Sequence, residues 1–196
     1  MLTYTGQYCD LDQGSPTLRD IAIQLGRIPR FMGGLKVFWP ILAHSLLVAR
    51  LCPPEAKLHG LLHDAAEVIT GDIPRTIKTA AQKSQEKAIL CRIYSRMGVP
   101  WPSLDIVSMV KEADNRALRG EAWALGSEDL VLHSEFHPRD REAEQEVFRV
   151  MMAYPEFGDY LHPAGKMVRD YVGLVEILLG IEPEAEQTVL KFEGVE

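Results

Sequence analysis

A histidine and an aspartate, His63-Asp64, stand side by side at the end of a run that is otherwise apolar at helical spacing: Leu58, Leu61, Leu62, Ala65 and Ala66. The apolar positions require burial, and they carry the polar pair inward with them. Burying two such groups without partners costs on the order of several kcal/mol, so the fold has to compensate. A divalent cation is one compensation, because an imidazole nitrogen and a carboxylate oxygen on one rigid turn are good ligands for zinc, manganese or cobalt. A buried, hydrogen-bonded His–Asp pair is the plainer one. The choice turns on whether further ligand-type residues accompany the pair.

They do. His44 lies at the start of an earlier apolar helix, in Ala43-His44-Ser45-Leu46-Leu47-Val48-Ala49. Asp114 lies in Lys111-Glu112-Ala113-Asp114, on a later helix whose inner face carries Ile106, Val107, Val110, Ala113, Ala117 and Leu118. The set His44, His63, Asp64 and Asp114 offers imidazoles and carboxylates from separate helices, a mixture that suits a catalytic metal keeping positions open for water and substrate. The order of these residues, the Ala65-Ala66-Glu67 and Gly71-Asp72-Ile73-Pro74-Arg75 that follow the pair, and the Lys-Glu-Ala-Asp around Asp114 resemble the HD-domain phosphohydrolases.

From about Tyr4 to Leu125 the chain is similar to small HD enzymes of phages and bacteria, near the 5′-deoxynucleotidases and the phage dATP triphosphohydrolases. The matching pieces include Tyr4-Thr5-Gly6, Leu18-Arg19-Asp20-Ile21-Ala22, Arg30-Phe31, Phe38-Trp39, Ala43-His44-Ser45 and Lys78. The chain departs from their pattern at Gly34, where a histidine is common, at Ala43, where Glu or Gln is common, and at Thr76, where proline is common. The resemblance implies an all-α HD-domain bundle with a metal site at its centre, holding Zn, Co, Mn or Mg. It also implies hydrolysis of deoxynucleotides at the α-phosphate. The expected substrate is dATP, cleaved to deoxyadenosine and triphosphate; a general 5′-deoxynucleotidase is the alternative.

Candidate roles follow. Glu67 is one turn beyond the His63-Asp64 pair and projects near the same face; it is read as a catalytic or water-orienting group rather than a solvated helix-end carboxylate. Asp72 closes that helix, and in the resembling enzymes this aspartate helps to prepare the nucleophilic water. Arg30 and Lys78 match positions that contact phosphates there, the first through a planar fork and the second as a mobile point charge. Phe31, Gly33 and Thr76 are read as substrate-binding through the same likeness, with Phe38 assigned to the core. Arg27 and Arg75 are read as surface or subunit-interface charges. His59, four residues before His63, is read as packed or hydrogen-bonded, and His133, His137 and His162 carry no assigned role.

The punctuation is that of a helical chain. Expected helices run from about Thr17 to Gly26, Ile41 to Leu51, Pro54 to Ile69, Arg75 to Met97, Ser103 to Leu125, Pro138 to Ala153 and Pro163 to Leu179. The reading is of one HD-type domain over 1–196, with its motif core at about 17–125 and carboxy-terminal helices at about 138–192. A formal net charge of −7 argues against a general nucleic-acid groove, but a small anionic substrate is compatible with a metal and a few local cations. Cys9, Cys52 and Cys91 form no CxxC, which points to a reduced setting. No signal peptide or membrane span is expected, so the expected location is cytoplasmic, in the host cytoplasm if phage-encoded. The expected partners are a deoxynucleotide and further copies of the chain, with Val168, Val172, Val175, Ile177 and Leu178 as apolar residues available for self-association. A non-catalytic HD module that binds a metal or nucleotide, and a helical interaction protein, are the readings of other classes.

Overall fold

The computed structural model describes residues 2–127, 129–154 and 165–181. His162 and the residues expected to extend the last helix to about 192 lie outside them. The described residues are helical, with only isolated bridges, Leu2 to Tyr8 and Pro29 to Pro40, in extended pairing. Among them no helix is long and apolar enough to cross a membrane.

The helix starts follow local chemistry. Helix α1 (Leu18–Leu25) opens on a capping box in which the Thr17 hydroxyl accepts from the Asp20 amide and Asp20 reaches back. The Asp20 carboxylate also accepts from the Thr5 amide at 2.7 Å and the Thr5 hydroxyl at 2.9 Å, which ties the amino-terminal segment to α1. Helix α5 (Ala80–Met97) begins five residues later than the expected Arg75. Thr79 and Gln82 make a second capping box, while the amides of Ile77 and Lys78 fold back onto the Pro74 carbonyl in a turn. Helix α6 (Leu104–Leu125) is capped by Ser103, and α7 (Arg141–Ala153) by Asp140.

Helix α2 (Ile41–Leu51) is the centre of the fold. Every residue from Ile41 to Ala49 is buried, as expected of a helix surrounded on all sides. It packs against α3 (Lys57–Leu62), α6, α7 and α8 (Gly165–Leu178). The most extensive packing is α6 against α7. Gly120 permits the close crossing there, since a Cβ at this position would lie 2.7 Å from the Ala143 carbonyl carbon. Tyr171 on α8 is fully buried and donates its hydroxyl to the Leu61 carbonyl at 2.8 Å, holding the end of α3 in place.

The expected single helix through His63-Asp64 is interrupted. Helix α3 stops at Leu62, and a short helix α4 (Glu67–Thr70) resumes beyond the pair. In between, the amides of Ala65, Glu67 and Ile69 bond three residues back, to Leu62, Asp64 and Ala66. This tighter winding rotates the pair away from regular helical positions.

Candidate metal centre and adjoining cleft

His44 lies on the fully buried α2, His63 and Asp64 in the tightened turn after α3, and Asp114 midway along α6. The tertiary packing brings His44, His63 and Asp114 into one cluster, and Asp64 adjoins it through the two imidazoles. The ligand atoms of His44, His63 and Asp114 lie within 4.8 Å of one another, near the roughly 3–4 Å spacing that metal–ligand bonds of about 2.1 Å impose. His44 Nε2 is 3.3 Å from Asp114 Oδ1 and 3.6 Å from Asp64 Oδ2, and His63 Nε2 is 3.0 Å from the same Asp64 oxygen.

The imidazoles are oriented from behind. His63 Nδ1 donates to the Gly60 carbonyl at 2.8 Å, and His44 Nδ1 is 2.8 Å from Glu121 Oε1. In both rings the buried Nε2 atom is turned toward a carboxylate, His63 toward Asp64 and His44 toward Asp114, without the alignment of a regular hydrogen bond. Two imidazole nitrogens turned toward carboxylates are the donor types a divalent ion requires. The residues present therefore fit a bound metal.

The electrostatics point the same way. Asp64, Glu67, Asp72, Asp114 and Glu121 crowd around Arg30 and Lys78. Burial and the Arg30 charge push the His44 pKa down, but the carboxylates of Glu121 and Asp114 outweigh them and raise it to about 9. Burial would raise Asp64, yet the His63 and His44 imidazoles hold its carboxyl well below the usual carboxylate range. Glu67 goes the other way: burial and the Asp64 and Asp72 charges raise it well above its ordinary value. Burial also raises Asp72, against the pull of Arg30.

A cleft of about 350 Å³ opens beside this cluster. Arg30, Phe31, Glu67, Asp72, Thr76 and Lys78 line it together with Asp64 and Asp114. Arg30 sits on a 3-10 turn, Arg30–Gly33, in which Phe31 and Met32 both adopt left-handed backbone, at φ 53° and 52°. Two such non-glycine residues in succession cost about 1–2 kcal/mol each, a strain of the kind that collects at functional sites. Arg30 Nη2 contacts Glu121 at 3.3 Å, and its Nη1 lies 3.8 Å from Asp72. Lys78 Nζ bonds Glu86 at 2.8 Å and stands 3.8 Å from Glu67. Gly33 is not on this wall; it lines a neighbouring groove with Arg27, Lys36 and the half-buried Phe38.

His59 is buried and 3.4 Å from the Tyr94 hydroxyl, a packed histidine outside the cluster. Arg75 is half-exposed, bonding Asn115 and standing 3.8 Å from Asp114. On α8, Val172 and Val175 are buried in the core, whereas Leu174, Ile177 and Leu178 are exposed.

Sequence reasoning missed Glu121 and the contribution of the carboxy-terminal half. Glu121 is two turns after Asp114 on the inner face of α6, so a charged residue on an apolar stripe was the available signal. Phe136, Leu130 and Glu135 close the cleft from a segment without a recognisable motif. The Phe136 ring stands 6.2 Å from that of Phe31.

Fold and site together define an all-helical protein with a His/Asp cluster able to hold a metal ion. No family model matches the chain. It is 33% identical over 132 residues to the uncharacterized protein YfdR of Escherichia coli strain K12, a match covering 65% of this chain and 72% of that protein. The chain belongs to the same family as YfdR.

Proposed function

We propose that the protein is an HD-domain, metal-dependent phosphohydrolase that cleaves deoxynucleotides at the α-phosphate, with dATP as the first substrate to test. The observation that carries this reading is the pair of buried Nε2 atoms of His44 and His63, turned toward Asp64 and Asp114 at the floor of a cleft that also holds Arg30 and Lys78. His44, His63, Asp64 and Asp114 would hold the ion. When bound, a divalent ion supplies Lewis acidity toward a phosphoryl oxygen and toward water.

The remaining chemistry belongs to the chain's own side chains. Arg30 and Lys78 neutralise phosphate oxygens, the first in a fixed orientation because Glu121 holds it from behind. Asp72, close to Arg30, accepts a proton from the attacking water. Glu67, whose surroundings favour its protonated form, delivers a proton to the departing 5′-oxygen. Phe31 and Phe136 form an apolar wall on which a base or sugar can rest. A cleft of this size is at the small end of nucleotide-sized sites, which accords with a monomeric nucleotide rather than a polymer.

The decisive experiment is a panel of dATP, dGTP, dCTP, dTTP, their monophosphates and ATP, each assayed with manganese, cobalt, zinc and magnesium. Release of nucleoside and triphosphate from dATP is the expected result. Comparable turnover of all deoxynucleoside monophosphates with none of the triphosphates would replace the dATPase reading with a general 5′-deoxynucleotidase. No turnover of any compound would refute the enzyme reading.

A further inference from the structure

Glu121 is a fully buried carboxylate that no ligand role claims. Its Oε1 accepts from the indole Nε1 of Trp39 at 2.7 Å and stands 2.8 Å from His44 Nδ1. Its Oε2 takes Arg30 Nη2 at 3.3 Å. These contacts come from the loop before α2, from α2 itself and from the 3-10 turn at Arg30, so the carboxylate ties together segments far apart in the chain. An isolated buried carboxylate would be prohibitively expensive; Arg30 supplies the counter-charge, and the indole and imidazole N–H groups supply the remaining hydrogen bonds.

We infer that Glu121 is a positioning residue that holds His44 in the Nδ1–H tautomer, with Nε2 bare and turned toward Asp64 and Asp114. The inference rests on the metal reading above and deepens it. The geometry leaves little freedom. A carboxylate can only accept at His44 Nδ1, so when a bound metal takes the place of the Nε2 proton the remaining proton sits there, and Nε2 is left as the lone-pair atom. Trp39 fixes the same oxygen from a second direction, which stops the carboxylate from rotating away. The Gly60 carbonyl does the equivalent for His63. Both nitrogen ligands are thus set by a group behind them, one charged and one neutral. Such orienting partners typically contribute 10–100-fold in metal affinity.

The test is zinc binding to the purified full chain, measured by chelator competition, for wild type and Glu121→Met. The variant keeps about the same side-chain length but removes both accepting oxygens. Zinc affinity is expected to fall 10–100-fold while the helical circular dichroism is retained. Unchanged affinity in a folded variant overturns the assignment. A second readout needs no variant: long-range nitrogen–proton NMR of the zinc-loaded wild type reports which His44 nitrogen bears the proton. A proton on Nδ1 with zinc on Nε2 supports the assignment, and the reverse overturns it. Failure of the wild type to bind zinc, manganese or cobalt would overturn the metal reading and this inference with it. Metal binding unaffected by Glu121→Met overturns the inference alone.

Discussion

Gly120 and Gly173 should respond to alanine with opposite signs. Both lie inside helices, where glycine is worse than alanine by about 1 kcal/mol, so propensity alone stabilises either substitution. At Gly173 on α8 a Cβ meets nothing within 4 Å, and Gly173→Ala is expected to stabilise by about 0.5–1 kcal/mol. At Gly120 the same atom would stand 2.7 Å from the Ala143 carbonyl carbon and 2.9 Å from both its Cβ and its oxygen. Two of those neighbours are backbone, which cannot swing aside as the end of a flexible side chain can. Relief requires α7 to move away from α6 by something like an ångström, and overpacking of this kind costs about 1–3 kcal/mol. Contacts this short, against backbone, put the cost at the upper end, so the clash wins over propensity. The net effect expected for Gly120→Ala is a loss of about 2 kcal/mol, or about 4–8 °C in Tm for a chain of this size. Because Glu121 is the next residue, the shift also reaches the group behind His44, and zinc affinity should fall along with stability. Thermal melts of both variants, followed by zinc titration, check this. A Gly120→Ala protein as stable as Gly173→Ala would refute the close-packing argument for the α6–α7 crossing.

Other outcomes follow from the same geometry. His63→Ala or Asp64→Ala should abolish bound metal and nearly all hydrolysis while keeping most of the helical circular dichroism; full metal occupancy in both would contradict the ligand assignment. Arg30→Ala leaves the buried Glu121 without its counter-charge, and it should cost stability, about 3–5 kcal/mol, as well as phosphate affinity, read by a melt and by KM. Asp20 is buried, which alone would raise its pKa, but the hydrogen bonds from Thr17 and Thr5 outweigh this and lower it. Its stabilisation is therefore fully present above about pH 4, near the unfolded value, and is lost as the pH falls through the lower folded value. Asp20→Ala should cost about 2–3 kcal/mol at neutral pH and flatten the acid limb of the stability profile; an unaltered limb would refute the role. Exposed Leu174, Ile177 and Leu178 on α8 are expected to support self-association, and a strictly monomeric mass by light scattering at micromolar concentration would rule it out.

Much of the architecture was legible along the chain because its signals are local. Thr17 and Asp20 form a capping box within one turn of chain, Ser103 caps α6 where Pro102 and the following apolar spacing place it, and Gly98 ends α5 in a left-handed conformation, at φ 67°. The proximity of His44, His63, Asp64 and Asp114 could be expected because each is a ligand-type residue on an apolar helix or in the turn that directly continues one, and the apolar faces converge on one core. The start of α5 was also encoded locally, in Thr79 and Gln82; the Gly-Asp-Ile-Pro turn merely runs on longer than its proline suggests.

Tertiary structure decided the rest. The winding of the His63-Asp64 turn is three-residue rather than four-residue, a choice between nearly equal backbone states that the surrounding packing and the Tyr171 bond to Leu61 help to settle. Gly33 and Phe31 are two residues apart, yet they face different grooves because the left-handed backbone at Phe31 and Met32 turns the chain between them. Phe136 reaches the cleft only through the path of the segment between α6 and α7. Glu121 could be placed on the inner face of α6 from its spacing alone. That it meets Trp39, His44 and Arg30 depends on how α6 crosses α2, and such contacts between distant segments are set by the packing of whole helices rather than by the residues beside them.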